Sequence, residues 1–137
     1  MPTLTQEDYL RAIYRLSEDS DKPIKNSDLT EKLKLTKGTV SKRLKEMQQH
    51  GWVTQVSYGP IELTASGLKI ARNLTYKHRL IELYLLQELN FEPAEVHAEA
   101  HLLEHAISDK LILKIAKKMR NPTHCPHGKK LPEFIPE

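Results

Sequence analysis

A Gly-Pro pair at residues 59–60 separates two short runs, residues 52–56 and 61–64, that are rich in β-branched and aromatic residues. Such residues favour strands, and a turn between two of these runs predicts a β-hairpin. The other apolar residues recur at the three- and four-residue spacing of helices. Five glycines and two phenylalanines argue against a nucleotide-binding α/β fold and against an RNA binder that stacks bases on aromatic rings. The sequence therefore predicts a mostly α fold with one hairpin.

Three helices are predicted before the hairpin. Helical spacing of apolar residues predicts the first over Leu4–Ser17. A short second helix is expected to begin at a cap formed by Asn26 or Ser27. A turn follows, and Thr36 is expected to cap a third helix over about residues 37–50.

Three more helices are predicted after the hairpin. Thr64 is expected to cap a long helix over about residues 65–89. Proline suits the first turn of a helix, which places the next one over about 93–106. The last is expected over about 109–119. Four prolines in residues 121–137 predict an irregular tail.

The order helix, short helix, turn, helix, hairpin is that of a winged helix-turn-helix, which we predict for residues 1–64. In such a domain the second helix of the pair lies in the major groove of DNA, and the hairpin contacts the flanking backbone. The helix over about residues 37–50 is therefore the candidate recognition helix.

The start of this helix offers hydroxyl groups, a glycine and three cations. Hydroxyl and amide groups at a helix start can contact phosphates and base edges, and basic side chains release counterions from DNA. The candidate DNA-binding residues are Thr36, Lys37, Gly38, Thr39, Ser41, Lys42 and Arg43. The alternative is a basic surface helix of a protein that does not bind DNA.

The formal net charge of +3 conceals a strong segregation of charge. Residues 22–50 hold eight basic and three acidic residues, a local charge of +5. Residues 80–109 hold seven acidic residues and no Lys or Arg, a local charge of −7, together with three histidines. A basic segment suits a polyanion, and an acidic segment with histidines suits a divalent cation. The alternative is that both are solvated surfaces.

Four side chains with metal-binding groups fall at i, i+4, i+7 and i+8, which is one stripe of one helix. They are His97, His101, Glu104 and His105. Burying such groups without compensation is costly, and a metal such as Mn, Fe or Zn compensates. His78 and Glu82 form a second i, i+4 pair, and Asp8 on the first helix can supply an oxygen ligand. The alternative is a set of hydrogen-bonded core histidines.

Other features give weaker or negative signals. Cys125 lies in a His-Cys-Pro-His run that could bind a soft metal, but we expect the proline-rich tail to be too flexible for that. A zinc protease of the His-Glu-x-x-His type is excluded because position 102, after His101, is leucine. The absence of a signal-like start or a long apolar run, with one cysteine, predicts a cytoplasmic protein. No general base is evident beside an open metal coordination position, so we do not expect an enzyme.

Several segments resemble the metal-dependent repressors typified by the diphtheria toxin repressor and the manganese transport regulator. They include the Glu-Asp-Tyr-Leu-Arg-Ala-Ile-Tyr run at 7–14, Lys-His-Arg-Leu at 77–80 and Glu-Ala-His-Leu-Leu-Glu-His at 99–105. The resemblance implies a homodimer with an N-terminal winged helix and, over 65–137, a helical metal-binding and dimerisation domain. It also implies the form of the family without the SH3-like domain of longer members.

Carried over by position, the resemblance implies two metal sites. The primary site would be Asp8, His101, Glu104 and His105, and the second site would be His78, Glu82 and His97. Two positions depart from the family pattern. Position 101 is Cys in the iron branch and Glu in the manganese branch, but here it is His. Arg11 replaces a ligand Glu of the manganese branch, so the two-metal cluster of that branch is not expected.

These observations predict a metal-responsive repressor that binds a palindromic operator on double-stranded DNA as a homodimer. The resemblance favours Mn(II) or Fe(II) as the activating ion, with Zn(II) as a third candidate. One alternative is a winged-helix regulator that senses a small organic ligand, with the His/Glu stripe structural. Another is a metalloenzyme with an incidental helix-turn-helix.

Overall fold

The structure is a computed structural model that describes residues 2–57 and 59–137. The chain divides into two compact units, the first ending at Ala71 and the second beginning at Arg72. The elements of the first unit are α1 (Leu4–Asp19), α2 (Asn26–Leu33), α3 (Lys37–Gln49), β1 (Val53–Thr54), β2 (Glu62–Leu63) and the start of α4 (Ala65–Glu88). Those of the second unit are the rest of α4, α5 (Pro93–Glu104) and α6 (Asp109–Lys118). Every predicted helix is present within a few residues of its expected ends.

Two helices of the first unit begin at side-chain caps. At the start of α1 the Thr3 hydroxyl accepts the amide of Gln6 at 3.2 Å, and the Gln6 side chain accepts the amide of Thr3 at 2.9 Å. At the start of α3 the Thr36 hydroxyl accepts the amide of Thr39 at 3.3 Å, as predicted. These local bonds satisfy amides that the first turn of a helix leaves without partners.

The cap of α2 differs from the prediction. The N-cap is Lys25, whose backbone amide donates to the Asp28 carboxylate at 2.8 Å. The expectation of Asn26 or Ser27 as the cap was therefore wrong. The reason is that Asn26 uses its side chain for contacts distant in sequence, with Ser41 and Gln55.

The hairpin packs onto the three helices through one face. Its strands are shorter than predicted and pair antiparallel, with Val53 opposite Leu63. Val53 and Ile61 are buried, and the Ile61 amide donates to the carbonyl of Ile24 at 2.8 Å. Tyr58, which belongs to the predicted turn, lies outside the described residues. The core of this unit also includes the fully buried side chains of Tyr9, Leu10, Ile13, Leu29, Val40, Leu44 and Met47.

A tight junction joins the hairpin to α4. The Thr64 hydroxyl accepts the amide of Gly67 at 3.1 Å and donates to the carbonyl of Gly51 at 2.6 Å, so Thr64 caps α4 as predicted. The Trp52 carbonyl accepts the Thr64 amide at 3.0 Å. It also lies against Gly67, where a Cβ would collide with it. Only glycine fits position 67.

The second unit has its own core, which includes part of the tail. Leu80, Ile81, Val96 and Ile112 are buried in it together with Leu131. The tail has no regular secondary structure, as predicted, except for a bridge between residues 124 and 130. It is nevertheless held in place by hydrogen bonds. The Cys125 amide donates to the carbonyl of Lys129, and Arg79 on α4 donates to the carbonyl of Lys130 at 2.7 Å.

None of the helices over the described residues has the length and apolar character that a membrane crossing requires.

We expect Gly67→Ala to destabilise the first unit, because the added methyl group collides with the Trp52 carbonyl. The expected cost is about 1–3 kcal/mol, which outweighs the gain of about 1 kcal/mol in helix propensity. Gly38→Ala is the matched control, because no described atom lies within 4 Å of its Cβ position. We expect it to stabilise by about 0.5–1 kcal/mol. Urea unfolding measures both, and a Gly67→Ala protein as stable as the wild type would contradict the junction.

Candidate functional site

Three predicted metal ligands meet inside the second unit. His78 and Glu82 are one turn apart on α4 and are 3% and 2% exposed, and His97 lies on α5 with its side chain exposed. The His78 Nε2 atom is 3.1 Å from Nδ1 of His97 and 3.5 Å from Oε1 of Glu82. The second carboxylate oxygen of Glu82, Oε2, is 3.5 Å from Nδ1 of His97. The structure thus brings together the whole of the predicted second site.

Two tail residues that were not predicted as ligands share this carboxylate. His127 places its Nδ1 atom 3.8 Å from Oε2 of Glu82. Glu82, Cys125 and His127 each have one ligand atom within 4.8 Å of those of the other two. Cys125 is buried. Residues 125–128 form a turn, in which the Gly128 amide donates to the Cys125 carbonyl at 3.0 Å. Gly128 has φ +81°, a conformation that favours glycine.

The expectation that a flexible tail would keep Cys125 from a metal was therefore wrong in its premise, because this part of the tail is ordered by backbone hydrogen bonds. The sequence signal was the Cys-Pro-His spacing, which puts a thiol and an imidazole on one turn. Nothing in the sequence indicated that this turn packs beside Glu82.

The Glu82 carboxylate is the centre of the cluster. Burial alone would raise the pKa of this carboxyl. The hydrogen bond with His78 and the positive charges of His78, His127 and His97 outweigh burial, and the pKa of Glu82 lies below its ordinary value. Among the described residues, its Oε2 atom accepts no hydrogen bond. A buried, ionised carboxylate oxygen facing imidazoles and a thiol fits a divalent cation.

Glu104 connects His78 to the other predicted ligand set. It is 1% exposed, and its Oε1 atom is 3.3 Å from Nδ1 of His78 and 3.1 Å from Nδ1 of His101. His105 follows the end of α5, and its ring meets that of His101 edge to face with centroids 5.5 Å apart. Three of the four predicted primary ligands are therefore neighbours in one unit. The fourth, Asp8, lies on α1 of the first unit, half-buried.

The candidate recognition helix α3 has a buried face and a basic face. Val40, Leu44 and Met47 are buried, whereas Lys37 and Lys42 are exposed. All seven candidate DNA-binding residues lie on this helix or at its cap. The hydroxyls of Thr36 and Thr39 are 2.8 Å apart, and the Ser41 hydroxyl accepts a hydrogen bond from the Asn26 side chain. The space beside Gly38, where a Cβ would lie, is open.

One cation on α3 is partly neutralised. Arg43 pairs with Glu46 one turn later, with Nη1 3.2 Å from the carboxylate oxygen. The side chains of Arg43 and Glu46 are 40% and 34% exposed, so this ion pair contributes little to stability. The exposed lysines are therefore the main source of positive charge on this face.

Comparisons with known proteins identify the family to which each part of the chain is similar. Residues 1–61 match the model of the iron dependent repressor N-terminal DNA binding domain. Residues 64–133 match the model of the iron dependent repressor metal binding and dimerisation domain. Both descriptions are of a transcriptional repressor rather than an enzyme.

Similar proteins include longer repressors. The iron-dependent repressor IdeR of Mycobacterium leprae is 34% identical over 131 residues, which are 96% of this chain and 56% of that protein. The diphtheria toxin repressor of Corynebacterium diphtheriae is 31% identical over 128 residues, 93% of this chain and 56% of that protein.

Solved structures lead to the same assignment. A manganese-dependent transcriptional repressor in complex with manganese is 34% identical, with a TM-score of 0.86 over 93% of this chain and 58% of that chain. The chain thus spans somewhat more than half the length of these relatives. Two family models that together cover most of the sequence, and relatives of more than 30% identity, show that the chain belongs to the iron-dependent repressor family.

Proposed function

We propose that this chain is a metal-responsive transcriptional repressor, in which a divalent transition metal promotes binding of a homodimer to a palindromic DNA operator. Residues 1–64 would bind DNA, and residues 65–137 would bind metal and form the dimer. The observation that carries the proposal is the buried Glu82 carboxylate, surrounded by His78, His97, His127 and Cys125.

The donor set supports a transition metal. Neutral imidazole, carboxylate and thiolate are natural ligands of Fe, Zn and Mn, and the preferred combination of ligands differs between these metals. We assign His78, Glu82 and His97 to the second site, with Cys125 and His127 as additional ligands on the same carboxylate. When bound, the ion supplies positive charge that offsets the burial of Glu82.

The primary site rests on the family resemblance, which assigns it to Asp8, His101, Glu104 and His105. In this proposal Asp8 supplies a ligand from the first unit, so that metal favours one arrangement of the recognition helices. Coupling of this kind is reciprocal, and DNA would tighten metal binding by the same factor.

The activating ion is proposed to be Mn(II) or Fe(II), with Zn(II) as the alternative. One similar protein is a manganese-dependent repressor solved with manganese, and another is an iron-dependent repressor. Imidazole and thiolate ligands favour Zn by intrinsic affinity, but the supply of free metal in the cell decides which ion is bound. A cytoplasmic location belongs to the same proposal.

The homodimer is supported by apolar side chains on the second unit that its own core leaves exposed. They lie on α5 and α6, where Leu102 is 69% exposed. The others are Leu103, Leu111 and Leu113, with exposed fractions of 42%, 50% and 43%. An apolar patch made of such side chains is typical of an interface between proteins.

The rival function is a winged-helix regulator of an organic ligand, with the histidine cluster structural. The two are separated by a gel shift on a genomic-fragment pool with chelator and then with buffered Mn, anaerobic Fe or Zn. We expect shifted fragments only with metal. Equal shifts with chelator would favour the rival, and no shift under any condition would contradict DNA binding itself.

We expect Asp8→Ala to remove most of the metal dependence of DNA binding, because it deletes the proposed ligand of the first unit. Asp21→Ala, which deletes an exposed carboxylate in the loop after α1, is the matched control. The measurement is DNA binding against free metal concentration. Undiminished metal dependence in Asp8→Ala would overturn the primary site without affecting the second.

We expect Glu82→Gln to weaken metal binding by at least about 10-fold, because it removes the charge that the cluster shares. Glu88→Gln, on the same helix with an exposed side chain, should leave the affinity unchanged. Competition with a metal-binding dye measures both. Equal affinity in the two variants would place the metal elsewhere.

We expect metal affinity to fall as the pH is lowered from about 7.5 to about 6, because protonated imidazole cannot coordinate a metal. The pKa of Glu82 is lowered, so this carboxyl stays ionised through that range and the loss belongs to the histidines. The same dye competition at the two pH values is the measurement. A constant affinity would argue against imidazole ligands.

A further inference from the structure

A cleft of about 320 Å³ lies in the first unit, between the start of α2, the face of α3 and the hairpin. Among the described residues, its lining is made of residues with polar side chains, one of them a cation and none a carboxylate. The lining residues are Asn26, Ser41, Lys45, Gln48, Gln55 and Ser57. Of these six, only Ser41 was among the predicted DNA-binding residues.

The charge of the cleft suits an anion. Ser41, Lys45 and Gln48 fall at i, i+4 and i+7 on α3 and so share one face of that helix. The acidic residue of α3, Glu46, is paired with Arg43 and does not line the cleft. Lys45 therefore supplies a positive charge with no carboxylate beside it in the lining.

The hydrogen bonds around Gln55 fix the direction of the donors. The carbonyl of Gly59 can only accept, so the side-chain nitrogen of Gln55 must face it, at 2.9 Å. The same nitrogen is 2.7 Å from Asn26, which must therefore turn its oxygen toward Gln55. The Asn26 nitrogen then faces Ser41 and donates to its hydroxyl at 3.4 Å. Because Ser41 accepts this bond, its own proton is available to donate to a ligand.

We propose that this cleft binds one phosphate of the DNA backbone, with Lys45 as its cation and Gln55 as the residue that positions Asn26 and Ser41. The inference rests on the proposed DNA-binding function and adds a contact to it. A phosphate oxygen accepts hydrogen bonds and carries a negative charge, which matches a lining of one ammonium, hydroxyls and side-chain amides. Because α3 also carries the candidate base-reading residues at its start, this contact would set the register of the helix on the duplex.

The first test is the salt dependence of DNA binding, measured with metal present on a duplex selected by the gel shift. Each phosphate contact contributes about 0.9 to the slope of log affinity against log salt concentration. We expect Lys45→Gln to lower that slope by about one for each subunit bound, for the selected duplex and an unrelated duplex alike. Lys69→Gln, on a helix that does not line the cleft, is the control for lost charge. An unchanged slope in Lys45→Gln, or an equal drop in both variants, would overturn the proposal.

The role of Gln55 is tested by a double-mutant cycle. We expect Gln55→Leu to weaken DNA binding, and its effect to be largely lost in a Lys45→Gln background, because both act on one phosphate. The effects of Gln55→Leu and Lys37→Gln should add. If the effects of Gln55→Leu and Lys45→Gln on DNA binding were also additive, Gln55 would only stabilise the hairpin. Urea unfolding of Gln55→Leu measures that stability directly.

Two further outcomes are distinguishable. If the wild type binds no DNA under any metal condition, the proposed function fails rather than the cleft alone. Calorimetry with inorganic phosphate and no DNA is expected to show no saturable binding. Saturable binding that Lys45→Gln abolishes, together with an unchanged salt slope, would assign the cleft to a free anion and overturn the DNA contact.

Discussion

The second unit depends on how two buried carboxylates are compensated. Glu82 and Glu104 are 2% and 1% exposed, and burying an ionised carboxylate without a partner is among the most costly events in folding. His78 lies between them, with Nε2 3.5 Å from Glu82 and Nδ1 3.3 Å from Glu104. One imidazole therefore joins both carboxylates, one on α4 and one on α5.

Protons and metal ions are interchangeable at such a cluster. The hydrogen bond with His78 and the charges of His78, His127 and His97 hold the pKa of Glu82 below its ordinary value despite burial. A bound divalent cation supplies the same compensation and requires the histidines to be neutral. In the proposed function, metal binding would therefore compete with protonation of the same imidazoles.

The parts of this molecule that local chemistry determines were predictable from sequence. Thr36 and Thr64 were assigned as caps from residue type and spacing alone, and both accept the amide three residues on. The parts that failed depend on contacts distant in sequence. Asn26 does not cap α2 because Gln55, 29 residues later, engages its side chain. Cys125 joins the histidine cluster because an ordered turn packs beside Glu82, and no periodicity encodes that packing.

In the proposed function, the segregation of charge would give metal a second route to DNA affinity, besides any effect on the arrangement of the recognition helices. The segment over 80–109 carries −7 before any cation binds, the same sign as DNA. With neutral histidines, each divalent ion that the proposed sites bind would remove two units of that charge and so reduce long-range repulsion of the duplex. This contribution is screened within about 8 Å at physiological salt. The proposed coordination of Asp8 would not be screened in this way, so metal dependence that persists at high salt would belong to the ligands rather than to net charge.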